Sequence, residues 1–325
     1  MSNKTRELCL SLAKAETEEE VIKILKSEKL WDNESLWIDY GGLPNNYSII
    51  GNQQSSADAA LVEKIVNSVD AVLMRECLRR GKDPESIEAP QSIEDALFEF
   101  FNIGGGNLAN ICKERRKELA DNILLVVTGS KQKPSYSIID KGEGQTPEDI
   151  PNTFLSLVKE NKLNVPFVQG RFGMGSTGVL PFCGDKQIQL IISKRDPKIL
   201  DKATDECSHN WGFTIVRRFD ARGKMKNSVF RYLAPNGKIM SFSADSLPLI
   251  PGKYPNAYEK PLEWGTFIKL YEYKLPRKLR GISVFNLYFH LSLLLPSIPL
   301  HLSIYVRNAG VIPNAQTGVP KHTSE

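Results

Sequence analysis

Asp58-Ala-Ala-Leu-Val-Glu63-Lys-Ile-Val-Asn67-Ser-Val-Asp70-Ala71-Val-Leu73 reads as one helix. Aliphatic residues at Leu61, Ile65 and Val72, and at Val62, Val66, Val69 and Leu73, make two stripes that nearly encircle it. Between the stripes Glu63, Asn67 and Asp70 stand at i, i+4 and i+7, on one face. A solvated surface helix does not flank its polar stripe with so many branched side chains. The trio is therefore expected to be half-buried, where a carboxylate needs partners. Taken alone, such a stripe can equally serve to cap a neighbouring loop. The helix is expected from about Asp58 to Arg80, with Gly81 and Pro84 stopping it.

Before this helix, residues 1–30 alternate charge and apolar character at helical spacing, and Thr17 with Glu20 has the capping-box interval. Two short amphipathic helices are predicted there. Trp31 to Ser56, with Gly41-Gly42, Pro44, Asn45-Asn46 and Gln53-Gln54, reads as loop. After the helix, Ile93 to Phe101 gives a second one, and then the period changes. Ile123–Thr128, Tyr136–Asp140 and Gln187–Ser193 read as buried strands, with Gly212–Arg217, Val229–Leu233 and Gly265–Tyr271 as further strands. Asn236-Gly237 between Phe230–Leu233 and Ile239–Phe242 predicts a type I′ hairpin. Helices first and strands later give an α+β fold, a two-layer α/β sandwich whose mixed sheet carries its helices on one face.

The chain has 325 residues, about two domains' worth. With 41% hydrophobic and 25% charged residues the composition is globular. Lys and Arg number 42 and Asp and Glu 38, a net +4 that does not by itself indicate nucleic acid. Basic clusters at 75–82, 113–117, 217–226 and 274–280 read as solvated faces or loops, so nucleic acid as a partner finds no support in them. Cys9, Cys77, Cys112, Cys183 and Cys207 lack paired spacing, which argues against a zinc ribbon or disulfide framework and for a reducing, cytoplasmic setting. Met1 to Leu10 is polar, so no secretory signal is expected. Phe285 to Val306 is long and apolar enough to span a bilayer, but Pro296 and Pro299 would break a spanning helix. It is read as a core helix ending before Pro296, followed by a strand through Leu302, Ile304 and Val306, with no membrane.

Two glycine-bearing stretches remain. Asp140-Lys-Gly142-Glu-Gly144 follows a buried strand, where glycines let the backbone turn closely around a ligand and the carboxylate accepts hydrogen bonds. As an isolated motif it reads first as an ordinary turn. Gly170-Arg-Phe-Gly173-Met-Gly175-Ser176-Thr-Gly178 reads as a phosphate cradle of exposed N–H groups. The rival is a dinucleotide fingerprint over Gly173 to Gly178 with Asp196 as the acidic residue, which ranks second because Pro181 and Gly184 leave only a stub of helix. No Gly-Lys-Ser/Thr follows, which excludes a Walker A loop.

In this order and separation the stretches resemble the GHKL superfamily of ATP-binding domains, which includes gyrase B subunits, MutL, the ninety-kilodalton heat-shock chaperones and histidine kinases. Glu63-Lys-Ile-Val-Asn67-Ser-Val-Asp70-Ala71 resembles the N box and Asp140-Lys-Gly142-Glu-Gly144 the first glycine box. Gly170-Arg-Phe-Gly173-Met-Gly175 resembles the second, and Glu263-Trp-Gly265-Thr266-Phe-Ile-Lys-Leu270 the strand that closes the pocket. The resemblance implies the Bergerat fold with ATP and Mg2+ as cofactors. Asn67 would ligate the Mg2+ and Glu63 would activate the attacking water. Asp140, supported by Thr266, would accept from the adenine amino group, with Gly142 and Gly144 making room for the base. Gly170, Gly173 and Gly175 would offer N–H groups to the phosphates, with Ser176 adding to them. Phosphoryl transfer needs chiefly positioning and charge neutralisation, so the set suffices chemically.

Histidine kinases lack a hydrolytic Glu at this place, and none of His209, His290, His301 and His322 reads as a phospho-acceptor, which favours an ATPase. The expected function is a Mg2+-dependent ATP hydrolase working as a conformational clamp, as a homodimer or with a partner subunit. The alternative is an ATP-binding switch that hydrolyses little, because no transducer lysine for the terminal phosphate can be identified, although Lys274, Arg277, Lys278 and Arg280 follow the closing strand. The implied layout is a helical extension over 1–56 and an ATP-binding domain over 57–272, enlarged by an insertion at about 195–263. A following transducer-like or effector region takes 273–325.

Overall fold

The computed structural model describes residues 2–106, 108, 111–157, 164–170, 177–200, 206–221, 223, 226–275, 299–307 and 316–317. In chain order come α1 (Ser2–Lys14), α2 (Glu18–Ser27), β1 (Trp37–Asp39), α3 (Asn46–Gly51), α4 (Ala57–Arg79), α5 (Ile93–Phe101) and α6 (Lys113–Ala120). There follow β2 (Ile123–Gly129), β3 (Pro134–Asp140), β4 (Gln189–Lys194), β5 (Trp211–Phe219), β6 (Val229–Leu233) and β7 (Met240–Phe242). The last are β8 (Leu247–Ile250), β9 (Lys260–Leu262), β10 (Gly265–Leu270), β11 (Ser303–Val306) and β12 (Gln316–Thr317). The fold is mixed α and β, as the α+β expectation required. The expected core helix before Pro296 lies outside the described residues, whereas the strand after it is β11. No described helix is long and apolar enough to cross a membrane.

One large sheet runs β1-β6-β5-β4-β10-β3-β2-β11-β12, with β7 also on β5, and β8-β9 form a separate hairpin. Every pairing in the large sheet is antiparallel except β11 on β2, so it is mixed. Its strands read as continuous apolar runs because both faces are covered. Ile123, Leu125 and Val127 of β2, with Tyr136 and Ile138 of β3, face α4 and α5. Leu124, Val126, Ile139, Leu190 and Ile192 face the opposite way, toward Cys9 and Leu12 of α1 and Val21 and Leu25 of α2. The expectation of helices on one face is therefore corrected: α1 and α2 pack on the side opposite α4. The strand spacing of two, applied to Ile123–Val127 of β2, a run with no polar alternate, already demanded a second cover.

Two further local expectations change. Asn236-Gly237 closes no hairpin. β6 and β7 both pair with β5 along the same edge, at Val216–Phe219 and Trp211–Phe213, so residues 234–239 are an excursion from one interrupted strand line. Asn236 and Gly237 do take the positive φ values, 57° and 74°, that the dipeptide favours. Trp31 to Ser56 is not all loop, since it supplies β1, paired to β6, and α3. The fully buried Asn46 explains the order there. Its amide donates to the carbonyls of Tyr40 and Phe230 and accepts from the Phe230 N–H, completing backbone pairing that a sheet edge would otherwise lack.

The long helix begins where Ser56 caps Ala59 N–H and ends at Gly81, whose φ is +71°. Leu61, Ile65, Val69, Val72 and Leu73 are all at most 1% exposed, each contributing about 1.5–3 kcal/mol of transfer free energy. α2 is fastened by Glu18, whose carboxylate accepts from Lys186 N–H at 2.7 Å and Ile188 N–H at 2.9 Å. The C-terminal carbonyls of α1 are taken by two residues at the end of β10: Lys269 Nζ donates to Ala13 O at 2.8 Å and Tyr271 OH to Leu12 O at 2.7 Å.

Lys269 is fully buried, with its ammonium 4.8 Å from the Tyr258 ring centre. Burial pulls it down from 10.5 to about 7, while Glu16 pulls the other way. Below about 7 both folded and unfolded chains hold the proton, and the cost of the buried charge is fully present. Between about 7 and 10.5 the unfolded chain binds the extra proton, so this group makes stability rise with pH, by at most about 1.4 kcal/mol per pH unit. The stability of Lys269→Met relative to wild type should therefore fall as pH rises through that window, as read by urea unfolding. A difference independent of pH would show that Lys269 does not titrate there.

Candidate functional site

β3 delivers Asp140 to the middle of the sheet, opposite Thr266 of β10 on one side and Ile123 of β2 on the other. Asp140 is 5% exposed and its carboxylate is held from two directions. Gly142 N–H donates to Oδ1 at 3.0 Å, the geometry of an Asx turn, and Ser68 Oγ of α4 donates to Oδ2 at 3.1 Å. The helix lies so close to the turn that only glycine fits. A Cβ at Gly142 would sit 2.5 Å from Ala71 Cβ, and the next N–H, of Glu143, bonds to Ala71 O at 3.1 Å. Gly144 has φ +62°, and a side chain there would strike the Lys194 carbonyl.

Thr266 is buried beside Ser193, hydroxyl to hydroxyl at 3.2 Å. Ser193 Oγ also donates to Gly265 O and accepts from Gln145 N–H, so it ties the closing strand to the turn after Asp140. The turn is braced from outside by Arg75, which donates to Asn122 Oδ1 at 3.1 Å and to the Lys141 carbonyl. Farther along, Arg79 Nε meets the fully buried Asp196 at 2.5 Å and its guanidinium stacks 4.9 Å from the Trp264 ring centre.

The polar face of α4 meets the second glycine stretch. Asp70, fully buried, accepts from Gln169 N–H at 3.0 Å and Gly170 N–H at 2.8 Å. A Cβ at Gly170 would lie 2.6 Å from Asn67 Oδ1, so this backbone passes directly over the Asn67 side chain. Glu63, half-buried one turn earlier, accepts from Gln54 Nε2 at 2.7 Å. Its neighbour Lys64 is buried, which pulls the ammonium down to about 8, with Glu63 acting in the opposite sense.

The structure thus brings Asn67 to Gly170, and Asp140 to Gly142 and Thr266, all along one helix. Gly144 lies against β4, and Glu63 stands at the start of the same face. Gly173, Gly175 and Ser176 lie outside the described residues. The rival dinucleotide fold is not formed: residues 177–188 hold only the single turn Leu180–Phe182, and β4 runs antiparallel to both neighbours. A cleft of about 580 Å3 opens beyond Gln169, lined by Gln91, Ser92, Glu94, Pro166 and Val168 among others, and none of the predicted residues lines it.

Sequence reasoning missed Ser68, Ser193 and Gln54. Ser68 left a readable trace, because it is the polar interruption of the Leu61, Ile65, Val72 stripe, whereas Ser193 and Gln54 left none. No family model matches the chain, and no curated protein matches it either.

Gly142→Ala should destabilise the fold by about 1–3 kcal/mol in urea unfolding, since the added methyl meets Ala71 and the Asp140 carboxylate. Gly104→Ala, with open space around its Cβ, should stay within about 0.5 kcal/mol. Equal effects at the two glycines would contradict the close seating of α4 on the turn.

Proposed function

We propose that this chain is a GHKL-type, Bergerat-fold domain that binds Mg2+-ATP and hydrolyses it, acting as a conformational clamp with a second copy or a partner subunit. The observation that carries the proposal is that one helix serves both glycine stretches. Ser68 and Ala71 hold the Asp140–Gly144 turn while Asn67 and Asp70 meet Gly170. Three features fit a nucleotide. A buried carboxylate with a threonine in register offers acceptors to a base edge. Glycines 142 and 144 keep side chains off that turn. A side-chain carbonyl, Asn67 Oδ1, lies under the backbone at Gly170.

Asn67 would hold Mg2+ through that oxygen, and the ion would offset phosphate charge. Glu63, one turn away, takes the proton from water as its oxygen bonds to the terminal phosphorus and the bridging P–O bond breaks to release ADP. Gly173, Gly175 and Ser176 would complete the phosphate cradle. One observation favours a binding switch with little hydrolysis. Lys274, the described residue of the basic run after β10, is tied to Asp185 at 3.0 Å and to the Gly184 carbonyl at 3.3 Å, and so is engaged away from a phosphate.

Mg2+-ATP affinity and phosphate release separate these outcomes. Asp140→Asn should weaken ATP binding at least about tenfold, the loss of a hydrogen bond to a charged acceptor. Glu63→Ala should leave affinity intact and lower turnover about 100-fold or more. Wild-type protein that binds ATP without releasing phosphate would select the switch. Asp140→Asn with wild-type affinity would sink the nucleotide assignment altogether.

A further inference from the structure

Gln53 and Gln54 precede α4 and belong to none of the four motifs. Gln54 Nε2 donates to Glu63 Oε2 at 2.7 Å. The same side chain lies under Gly178, where a built Cβ would be 2.7 Å from Gln54 Cγ and 3.2 Å from Gln54 Cβ. Next to it the Thr177 hydroxyl, fully buried, donates to Gln53 Oε1, and the buried Gln53 amide nitrogen has no acceptor among the described residues. Thr177 and Gly178 are the last residues of the glycine stretch that begins at Gly170. Two adjacent amides therefore join the Glu63 carboxylate to the far end of that stretch.

A half-buried glutamate on a helix has three side-chain torsions, and a catalytic base must occupy one arrangement of them. We propose that Gln54 is a positioning residue for the Glu63 carboxylate. Through Gln53 and Gly178, that position depends on how the Thr177-Gly178 segment packs. The inference rests on the ATP-hydrolase assignment of Glu63. Gln54 touches neither nucleotide nor water in this scheme and acts only through the base. The competing role is a plain tie between a loop and a helix, which would affect stability and affinity but not the base in particular.

The test measures kcat, KM and Mg2+-ATP Kd for wild type, Gln54→Met, Glu63→Ala and the double variant. Methionine keeps the length of the side chain and its packing on Gly178 while removing the amide. Gln54→Met should lower kcat about 10- to 100-fold with Kd unchanged, and in the Glu63→Ala background it should cost nothing more, because members of one unit do not add. Gly178→Ala, which pushes against Gln54, should lower kcat in the wild type and have a smaller effect beside Gln54→Ala, which removes the Cγ that the methyl would meet at 2.7 Å. Unchanged kcat in Gln54→Met, or an equal further loss on top of Glu63→Ala, overturns the positioning role. Wild type that binds no Mg2+-ATP overturns the functional assignment and this inference with it. Wild-type turnover that is indifferent to Gln54 overturns the inference alone.

Discussion

The close seating of α4 on the end of β3 is the constraint from which the candidate site follows. A helix–sheet contact of ordinary spacing would leave room for a side chain at residue 142. Here Ala71 and the Asp140 carboxylate occupy that space, and Ser68 reaches the same carboxylate. The polar stripe of α4 is thereby fixed along its length, with Asp70 gripping two backbone N–H groups and Asn67 lying beneath Gly170. A buried carboxylate held by several donors is fixed in place, and removing one of them weakens the solvation of a buried charge.

That seating in turn depends on the far side of the sheet. β3 and β10 can hold Asp140 opposite Thr266 only if their outward faces are also covered, and α1, α2 and the β8-β9 hairpin provide the cover. Glu18 and the Lys269–Tyr271 pair fasten these helices by polar contacts with backbone groups rather than by apolar area alone. The N-terminal segment is thus part of the support beneath the site, and β1 pairs with β6 at one edge of the same sheet.

Much of the frame was legible from the chain. Ile93–Phe101 is a helix over the predicted residues because Ser92 caps it and Asn102 turns it off in the left-handed region. β2, β3, β6 and β10 fall where short runs rich in aliphatic and aromatic residues stand between turn residues. The polar trio of α4 was legible because helical geometry places i, i+4 and i+7 together whatever the rest of the chain does. Asn236-Gly237 misled because a dipeptide that favours positive φ fixes a local turn but not which strand the flanking residues pair with. Both flanks chose β5.

The sequence by itself determined α4, α5 and the long central strands, the shared face of Glu63, Asn67 and Asp70, and the turn after Asp140, since each follows from backbone preferences and spacing within a few residues. Only the tertiary structure decided that both sheet faces are covered and that Ser68 and Ser193 serve Asp140 and Thr266. It alone placed Gln54 between Glu63 and Gly178. Gln54 and Glu63 are nine positions apart, but the other contacts join residues tens to more than a hundred positions apart, and they depend on register and layer order. No local periodicity encodes those, because they are settled by which buried surfaces fit together.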